Sequence, residues 1–323
     1  RIWLDPRKKD IQFQPELILR GHSLGVASVL QLADDRICTG STDGLIKIFD
    51  PLKNWTDGQC DKTMRGHRGG INVLKKLSNP YKICSGADDF TVIIWDVLTF
   101  KSLCVLQGHT GPVLDVIELR NGMLCSASVD HMLILWVSNA VPSAEDEQGE
   151  YHPHHVDQKM AQTKVVPRSL LSKSVAQVDQ TYRLHKTLIT RGHQGAVNCV
   201  IELEDGRLCS CGADKVLRFW DLSRYVCDYT MEGHWASINC VIQLKDGLLC
   251  TCSDDRKIKL WHLTNFIKKN ISTPNDHCVH TFTAHEGVVK KVIELNRGGL
   301  CSCGGDNNVR LWSPVSTTPV TTD

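Results

Sequence analysis

The residue types in this sequence that could perform chemistry recur in a fixed order. His22, His67, His109, His193, His234 and His285 are each followed by a hydroxyl at Thr39, Ser85, Ser126, Ser210, Thr251 or Ser302. Four residues beyond each hydroxyl stands Asp43, Asp89, Asp130, Asp214, Asp255 or Asp306. Histidine, hydroxyl and carboxylate are the parts of a hydrolase in which an imidazole, held by an acid, activates a nucleophile. A catalytic constellation is built once, however, and this one occurs six times. Each copy is also in register with an aromatic residue, Phe49, Trp95, Trp136, Trp220, Trp261 or Trp312, six positions after the aspartate. Such repetition points to architecture, so no catalytic residue is assigned and the chain is expected not to be an enzyme.

The cysteines obey the same alignment. Cys38, Cys84, Cys125, Cys209, Cys250 and Cys301 immediately precede the hydroxyl, and Cys211, Cys252 and Cys303 follow it. Thiolates at C-x-C spacing can ligate zinc, but each pair falls on its own strand, where cysteine serves as a small apolar filler. The tract His152-Pro153-His154-His155-Val156-Asp157 could hold a divalent ion, yet its polar surroundings read as a solvated loop. Glycine-rich phosphate loops, H-E-x-x-H and C-x-x-C motifs are absent from the sequence. No metal and no cofactor are expected.

The elements that must position these columns are strands. Four residues after each histidine stands Val26, Ile71, Val113, Val197, Ile238 or Val289, and three further on Val29, Leu74, Val116, Val200, Val241 or Val292. Asn121-Gly122, Asp205-Gly206 and Asp246-Gly247 are expected to form tight two-residue hairpin turns with both residues at positive φ. A further strand enters each aromatic, as in LIKIF, TVIIW and VLRFW, and a short apolar stretch precedes each Gly-His. Each repeat therefore holds about four strands.

Composition bounds the function. The chain has 323 residues, 37 Lys+Arg against 36 Asp+Glu, a formal charge of +1 and 41% hydrophobic residues. Near-neutrality argues against a general polyanion or anionic-membrane binder, so no nucleic acid is expected. There is no apolar run long enough for a membrane helix, so no membrane insertion is expected either. The odd count of 15 Cys fits a reduced, intracellular protein better than a disulfide framework, and the sequons at Asn54 and Asn270 read as chance. A cytoplasmic location is expected, with nuclear or cytoskeletal and ciliary association left open. The chain begins at Arg1 rather than Met, as a piece of a longer polypeptide would.

Four-stranded units with these landmarks resemble the tryptophan–aspartate (WD) repeat family, whose fold is the all-β, closed β-propeller. The literal dipeptide stands at Trp95-Asp96 and Trp220-Asp221, while Phe49-Asp50, Trp136-Val137, Trp261-His262 and Trp312-Ser313 depart from it, and Ala284 replaces the glycine of Gly-His. The resemblance implies a single propeller domain over 1–323, with clear repeats near 15–50, 60–96, 102–137, 186–221, 227–262 and 278–313. The histidines are 45, 42, 84, 41 and 51 residues apart. Because 84 is twice 42, residues 138–185 are read as a degenerate seventh blade, the alternative being six blades with an insertion. Residues 15–20 are expected to pair onto the last blade and close the ring. Arg1-Ile2-Trp3-Leu4-Asp5 itself looks like the end of one more repeat, 19 residues before His22.

The resemblance also assigns roles. The turn aspartate accepts from the histidine, the histidine meets the hydroxyl, and the hydroxyl meets the indole, in a buried structural network. The loops after Gly-His and around the turn aspartate share one rim, the family's usual partner-binding face. There Trp235, Phe90, Arg68, Arg256, Lys215 and His131 are the candidate partner-binding residues. Aromatics and arginines are frequent interface anchors, and the basic side chains would suit an acidic or phosphorylated peptide. The expected function is a non-catalytic intracellular protein–protein scaffold or adaptor; the alternative is the recognition domain of a larger enzyme such as a ubiquitin ligase or kinase.

Overall fold

A computed structural model describes residues 18–50, 60–138, 182–188, 192–263, 278–296 and 298–313. They form strands and turns, with no helix among the described residues. The first sheet contains β1 (Val26–Gln31), β2 (Ile37–Ser41), β3 (Leu45–Phe49) and β4 (Lys62–Arg65). The second contains β5 (Ile71–Lys76), β6 (Lys82–Ala87), β7 (Thr91–Asp96) and β8 (Lys101–Gln107). In the third, β9 (Val113–Glu118), β10 (Leu124–Ser128), β11 (Leu133–Ser138) and β12 (Tyr182–Leu188) follow the same order. The fourth holds β13 (Val197–Glu202), β14 (Leu208–Gly212), β15 (Leu217–Asp221) and β16 (Val226–Met231). The fifth holds β17 (Ile238–Gln243), β18 (Leu249–Ser253), β19 (Lys257–Trp261) and β20 (Cys278–Thr283). The sixth has three strands, β21 (Val289–Glu294), β22 (Leu300–Gly304) and β23 (Val309–Trp312).

Every sheet is an antiparallel meander, and the six stand in series as propeller blades, inner strand against inner strand from β1 to β21. A register shift recurs near the start of each inner pair, for example between Ile71 and Val73 and between Ile238 and Cys240. Bulges of this kind strengthen the local twist that a radial blade needs. The second strands are buried on both faces, as in β10, β14 and β18. This is why they read as cysteine and small hydroxyl residues rather than as an apolar–polar alternation.

One rule of packing repeats at each junction. The residues one and three positions before a sheet's aromatic lie in one apolar cluster with those four and seven positions after the next histidine. Ile46 and Ile48 thus join Ile71 and Leu74, and Val92 and Ile94 join Val113 and Val116. Leu133 and Leu135 join Val197 and Val200, while Leu217 and Phe219 join Ile238 and Val241. Ile258 continues the pattern with Val289 and Val292. Truncating a side chain of this kind typically costs about 2–5 kcal/mol.

Two expectations need correction, and a third falls partly outside the described residues. Among the described residues no degenerate blade stands between the third and fourth sheets: Tyr182–Leu188 is the outer strand of the third sheet, paired with β11, and β9 packs directly on β13. The alternative of six blades stands, with residues 139–181 joining β11 to β12. Of the closing strand expected at 15–20, residues 15–17 lie outside the described residues, Ile18, Leu19 and Arg20 make no strand, and the last sheet has three strands among the described residues. The hairpins, finally, are not two-residue turns with both residues at positive φ. Only the glycines are left-handed (Gly122 at φ 82°, Gly206 at 85°, Gly247 at 84°), and the Asn121, Asp205 and Asp246 side chains accept the amide two residues on. In the first sheet Asp35, at φ 66°, occupies the glycine's place. Residues 1–5 and the histidine tract at 152–157 lie outside the described residues.

Candidate functional site

The six histidine sets share one geometry. His67 Nδ1 lies 3.0 Å from Asp89 Oδ2, His67 Nε2 lies 2.6 Å from Ser85 Oγ, and the Trp95 indole donates to Ser85 Oγ at 2.7 Å. His109, Asp130, Ser126 and Trp136 repeat it at 2.8, 2.7 and 2.8 Å, and His193, Asp214, Ser210 and Trp220 at 2.9, 2.7 and 2.8 Å. For His234, Asp255, Thr251 and Trp261 the values are 2.7, 2.7 and 2.8 Å. For His285, Asp306, Ser302 and Trp312 they are 2.8, 2.8 and 2.9 Å. In the first sheet His22 reaches Asp43 at 2.9 Å and Thr39 at 2.8 Å, and Phe49 supplies no indole.

Charge follows from burial. Desolvation pushes the imidazoles of His193 and His234 down, towards the neutral form, against the pull of Asp214 and Asp255. A neutral ring donates from Nδ1 to the carboxylate and accepts at Nε2 from the hydroxyl, which leaves the hydroxyl oxygen to accept the indole N–H. Burial raises the carboxyls of Asp214 and Asp255, but the histidine hydrogen bonds and backbone amides outweigh it and hold both at about 2. The hydroxyls of Ser85, Ser126, Ser210 and Thr251 are fully buried and already occupied. A nucleophile there could not meet a substrate.

The same aspartates build the rim. Each accepts the backbone amide of the residue after the histidine: Ser23, Arg68, Thr110, Gln194, Trp235 and Glu286, at 3.0, 2.7, 2.9, 3.1, 3.1 and 3.2 Å. Each also accepts an amide two residues beyond itself, such as Met132 or Lys257 at 3.0 Å. The residue between is driven into the left-handed region. Gly44 fits this at φ 77°, but Phe90, His131, Lys215, Arg256 and Asn307 take it at 70, 71, 68, 69 and 60°. A side chain in that region costs about 1–2 kcal/mol, so the buried network holds these turns against their own preference.

All six candidate partner-binding residues are exposed: Arg68, Phe90, His131, Lys215, Trp235 and Arg256. They fall into groups rather than one cluster. Arg68 and Phe90 share the second sheet's loops through Asp89, and Trp235 and Arg256 share the fifth's through Asp255. His131 and Lys215 stand between, on the third and fourth sheets. Trp235 is 78% exposed, and the Lys257 ammonium lies over its ring at 5.1 Å from the centroid. A shallow recess lined by Asp130, His131, Met132, Gly192, His193 and Gln194 opens at the junction of the third and fourth sheets.

The roles of two features were not read from the sequence. Asn72, Asn198 and Asn239 each donate to a backbone carbonyl of the next sheet, at Val113, Ile238 and Val289, over 3.1, 2.9 and 2.8 Å. Their common place five residues after the histidine was the available signal. Asp115 is the other: it is buried, pairs with Lys75 of the second sheet at 3.2 Å and accepts the Val200 amide of the fourth at 3.1 Å. In the adjacent pair Lys290-Lys291, the Lys290 ammonium lies 3.6 Å from Asp254.

Six meander sheets, each carrying the histidine–hydroxyl–aspartate set, define a repeat β-propeller. The WD domain, G-beta repeat family model matches residues 13–50, 58–96, 100–137, 184–221, 225–262 and 276–313, and the chain belongs to that family. It is 26% identical over 212 residues to the Ribosome biogenesis protein YTM1 of Debaryomyces hansenii, covering 61% of this chain and 42% of that protein. It is 34% identical over 131 residues to the Polycomb protein EED of Chaetomium thermophilum, covering 36% and 22%. Cell division control protein 4 of Saccharomyces cerevisiae is 26% identical over 251 residues, covering 68% and 30%. The chain thus spans less than half the length of these curated relatives.

Proposed function

We propose that this propeller is a non-catalytic interaction scaffold whose rim docks a protein partner. The observation that carries this reading is Trp235, a large aromatic left in solvent on a loop whose backbone is clamped to Asp255. An exposed indole with Lys257 over its face, and Arg256 exposed on the turn that follows Asp255, is an anchor set ready for a partner. The left-handed turns present Phe90, His131 and Lys215 on the same rim. Because the network fixes these loops beforehand, docking orders little chain. Arg68, Lys215 and Arg256 favour an acidic or phosphorylated segment. The odd count of 15 Cys in a chain of this size favours a reducing, intracellular setting such as the cytoplasm.

The test is a screen of acidic and phosphorylated peptides on the purified protein, followed by fluorescence anisotropy on those that bind. The double substitution Trp235→Ala, Phe90→Ala should weaken binding at least about ten-fold, the loss of one hot-spot contact. The melting temperature should stay within a few degrees. Undiminished binding by the double variant would reject the site. The second reading, a recognition domain within a larger enzyme, is favoured by the share of the relatives that this chain covers, 30% in the case of the cell division control protein.

A further inference from the structure

The second sheet departs from the others at the end opposite the rim. In the third to sixth sheets the inner hairpin turns on a left-handed glycine, Gly122, Gly206, Gly247 or Gly298. The Leu77 amide donates to Lys82 O, one residue further along than the Leu119 amide to Met123 O. Pro80-Tyr81 thus stands where the other hairpins use one glycine, and Tyr81 is 49% exposed. Asn79 Oδ1 accepts the Tyr81 amide at 2.9 Å. Tyr81 O in turn accepts the Val97 amide at 2.9 Å, which ties the hairpin to the turn between β7 and β8. There the Asp96 carboxylate accepts the amides of Leu98 and Thr99 at 2.7 and 2.9 Å, and Phe100 closes the turn at φ 59°. The fourth sheet builds the same turn from Asp221, Ser223, Arg224 and Tyr225. Ser223 fills the place of Leu98, which is 53% exposed. Neither apolar side chain is demanded by its turn.

Cations frame this pair. Lys82 lies opposite Asp96 and Asp96 opposite Lys101, so two lysines flank one carboxylate on the same face of the sheet. From the first sheet, the Lys62 ammonium and the Arg36 guanidinium lie over the Phe100 ring, 5.7 and 5.6 Å from its centroid. The carboxylates here are engaged: Asp34 holds Arg36 at 2.7 Å, Asp96 caps the turn, and Glu118 accepts the Ser78 amide. Lys62, Lys82 and Lys101 make no ion pair with a described residue. We propose that this end of the second sheet is a second docking surface, for an acidic segment of another protein that sets an apolar side chain against Tyr81 and Leu98. Charge complementarity selects the acidic partner, and a tyrosine on a turn already fixed is an interface anchor that costs little ordering. Successive turns of a meander alternate ends, so this surface lies opposite the β6–β7 turn that carries Phe90. The propeller thereby joins two partners, one on the rim and one here, and either surface can fail without the other.

The experiment selects a displayed library of random short peptides on the protein carrying Trp235→Ala and Phe90→Ala, so that the rim does not contribute. Selected peptides should be rich in Asp and Glu around a Leu, Phe or Tyr. In fluorescence anisotropy, Tyr81→Ser with Leu98→Ser should weaken their binding at least about ten-fold. Lys62→Glu with Lys101→Glu should do the same, and raised salt should weaken binding to the parent. Both double variants should melt within a few degrees of the parent. An empty selection, peptides without acidic residues, or binding indifferent to both double variants would overturn the proposal. Self-association in light scattering, lost in Tyr81→Ser with Leu98→Ser and found in place of peptide binding, would give the patch to a second copy of the chain. Sedimentation with phosphatidylserine vesicles, lost in the same variant and again in place of peptide binding, would give it to a membrane surface. Either result overturns the acidic segment as occupant.

Discussion

Asp214 accepts from the His193 ring at 2.9 Å and from the Gln194 amide at 3.1 Å, so one carboxylate holds a buried imidazole and a rim loop together. Asp214→Ala strands the buried imidazole donor, which costs about 1–3 kcal/mol, and releases the exposed Gln194 amide to solvent. The expected result is a melting temperature lower by several degrees, with looser rim loops. An intact fold that had lost a measurable turnover would instead revive the hydrolase reading. Asp115 gives a pH signature. Burial pushes its carboxyl up to about 6, against the charge of Lys75, whose own ammonium is raised by the pair. The folded pKa therefore lies above the unfolded value of about 3.9. Its contribution is fully present below about pH 4 and is lost as pH rises through about 6. In urea titrations the stability of Asp115→Asn relative to the parent should improve between pH 4 and pH 7, groups common to both cancelling in the difference. A flat difference over that range would mean that Asp115 titrates alike folded and unfolded.

At the scale of elements, the register of β11 and β12 decides what the long connection does. Ser138 lies opposite Tyr182, so the two strands already end side by side where residues 139–181 leave and return. Replacing 139–181 by a short Asn-Gly turn should leave the sheet paired and the thermal transition within a few degrees of the parent, as followed by circular dichroism. Collapse of the fold would show that the connection supports the third sheet. The same strand explains what was legible in the sequence. Columns of His, hydroxyl, Asp and Trp mark each sheet because every copy must satisfy the same buried hydrogen bonds, and the rim loops follow from them. The blade count did not follow: counting from His109 to His193 measures chain length, and an insertion between a third and an outer strand lengthens the chain as a whole blade would. The left-handed turns at Phe90 and Arg256 were hidden for another reason, since their backbone is imposed by the network rather than chosen by residue type.

For the whole molecule the consequence is a stability that varies along the series. A repeat array is held by the intrinsic stability of each unit and by its junctions with neighbours. The second to fifth sheets have two junctions each, whereas among the described residues the first lacks the one that would cover Val29 and the sixth the one that would cover Leu311. The sixth also lacks an outer strand. Local opening draws on the least supported units, and amides exchange at rates set by the free energy of that opening. In residues 1–323, hydrogen–deuterium exchange followed by mass spectrometry should therefore show greatest protection in β10, β14 and β18, with β2 and β22 exchanging sooner although they occupy the same place in their sheets. Uniform protection in residues 1–323 would mean that the end faces are already covered, and that exposure of Val29 and Leu311 does not describe the chain in solution.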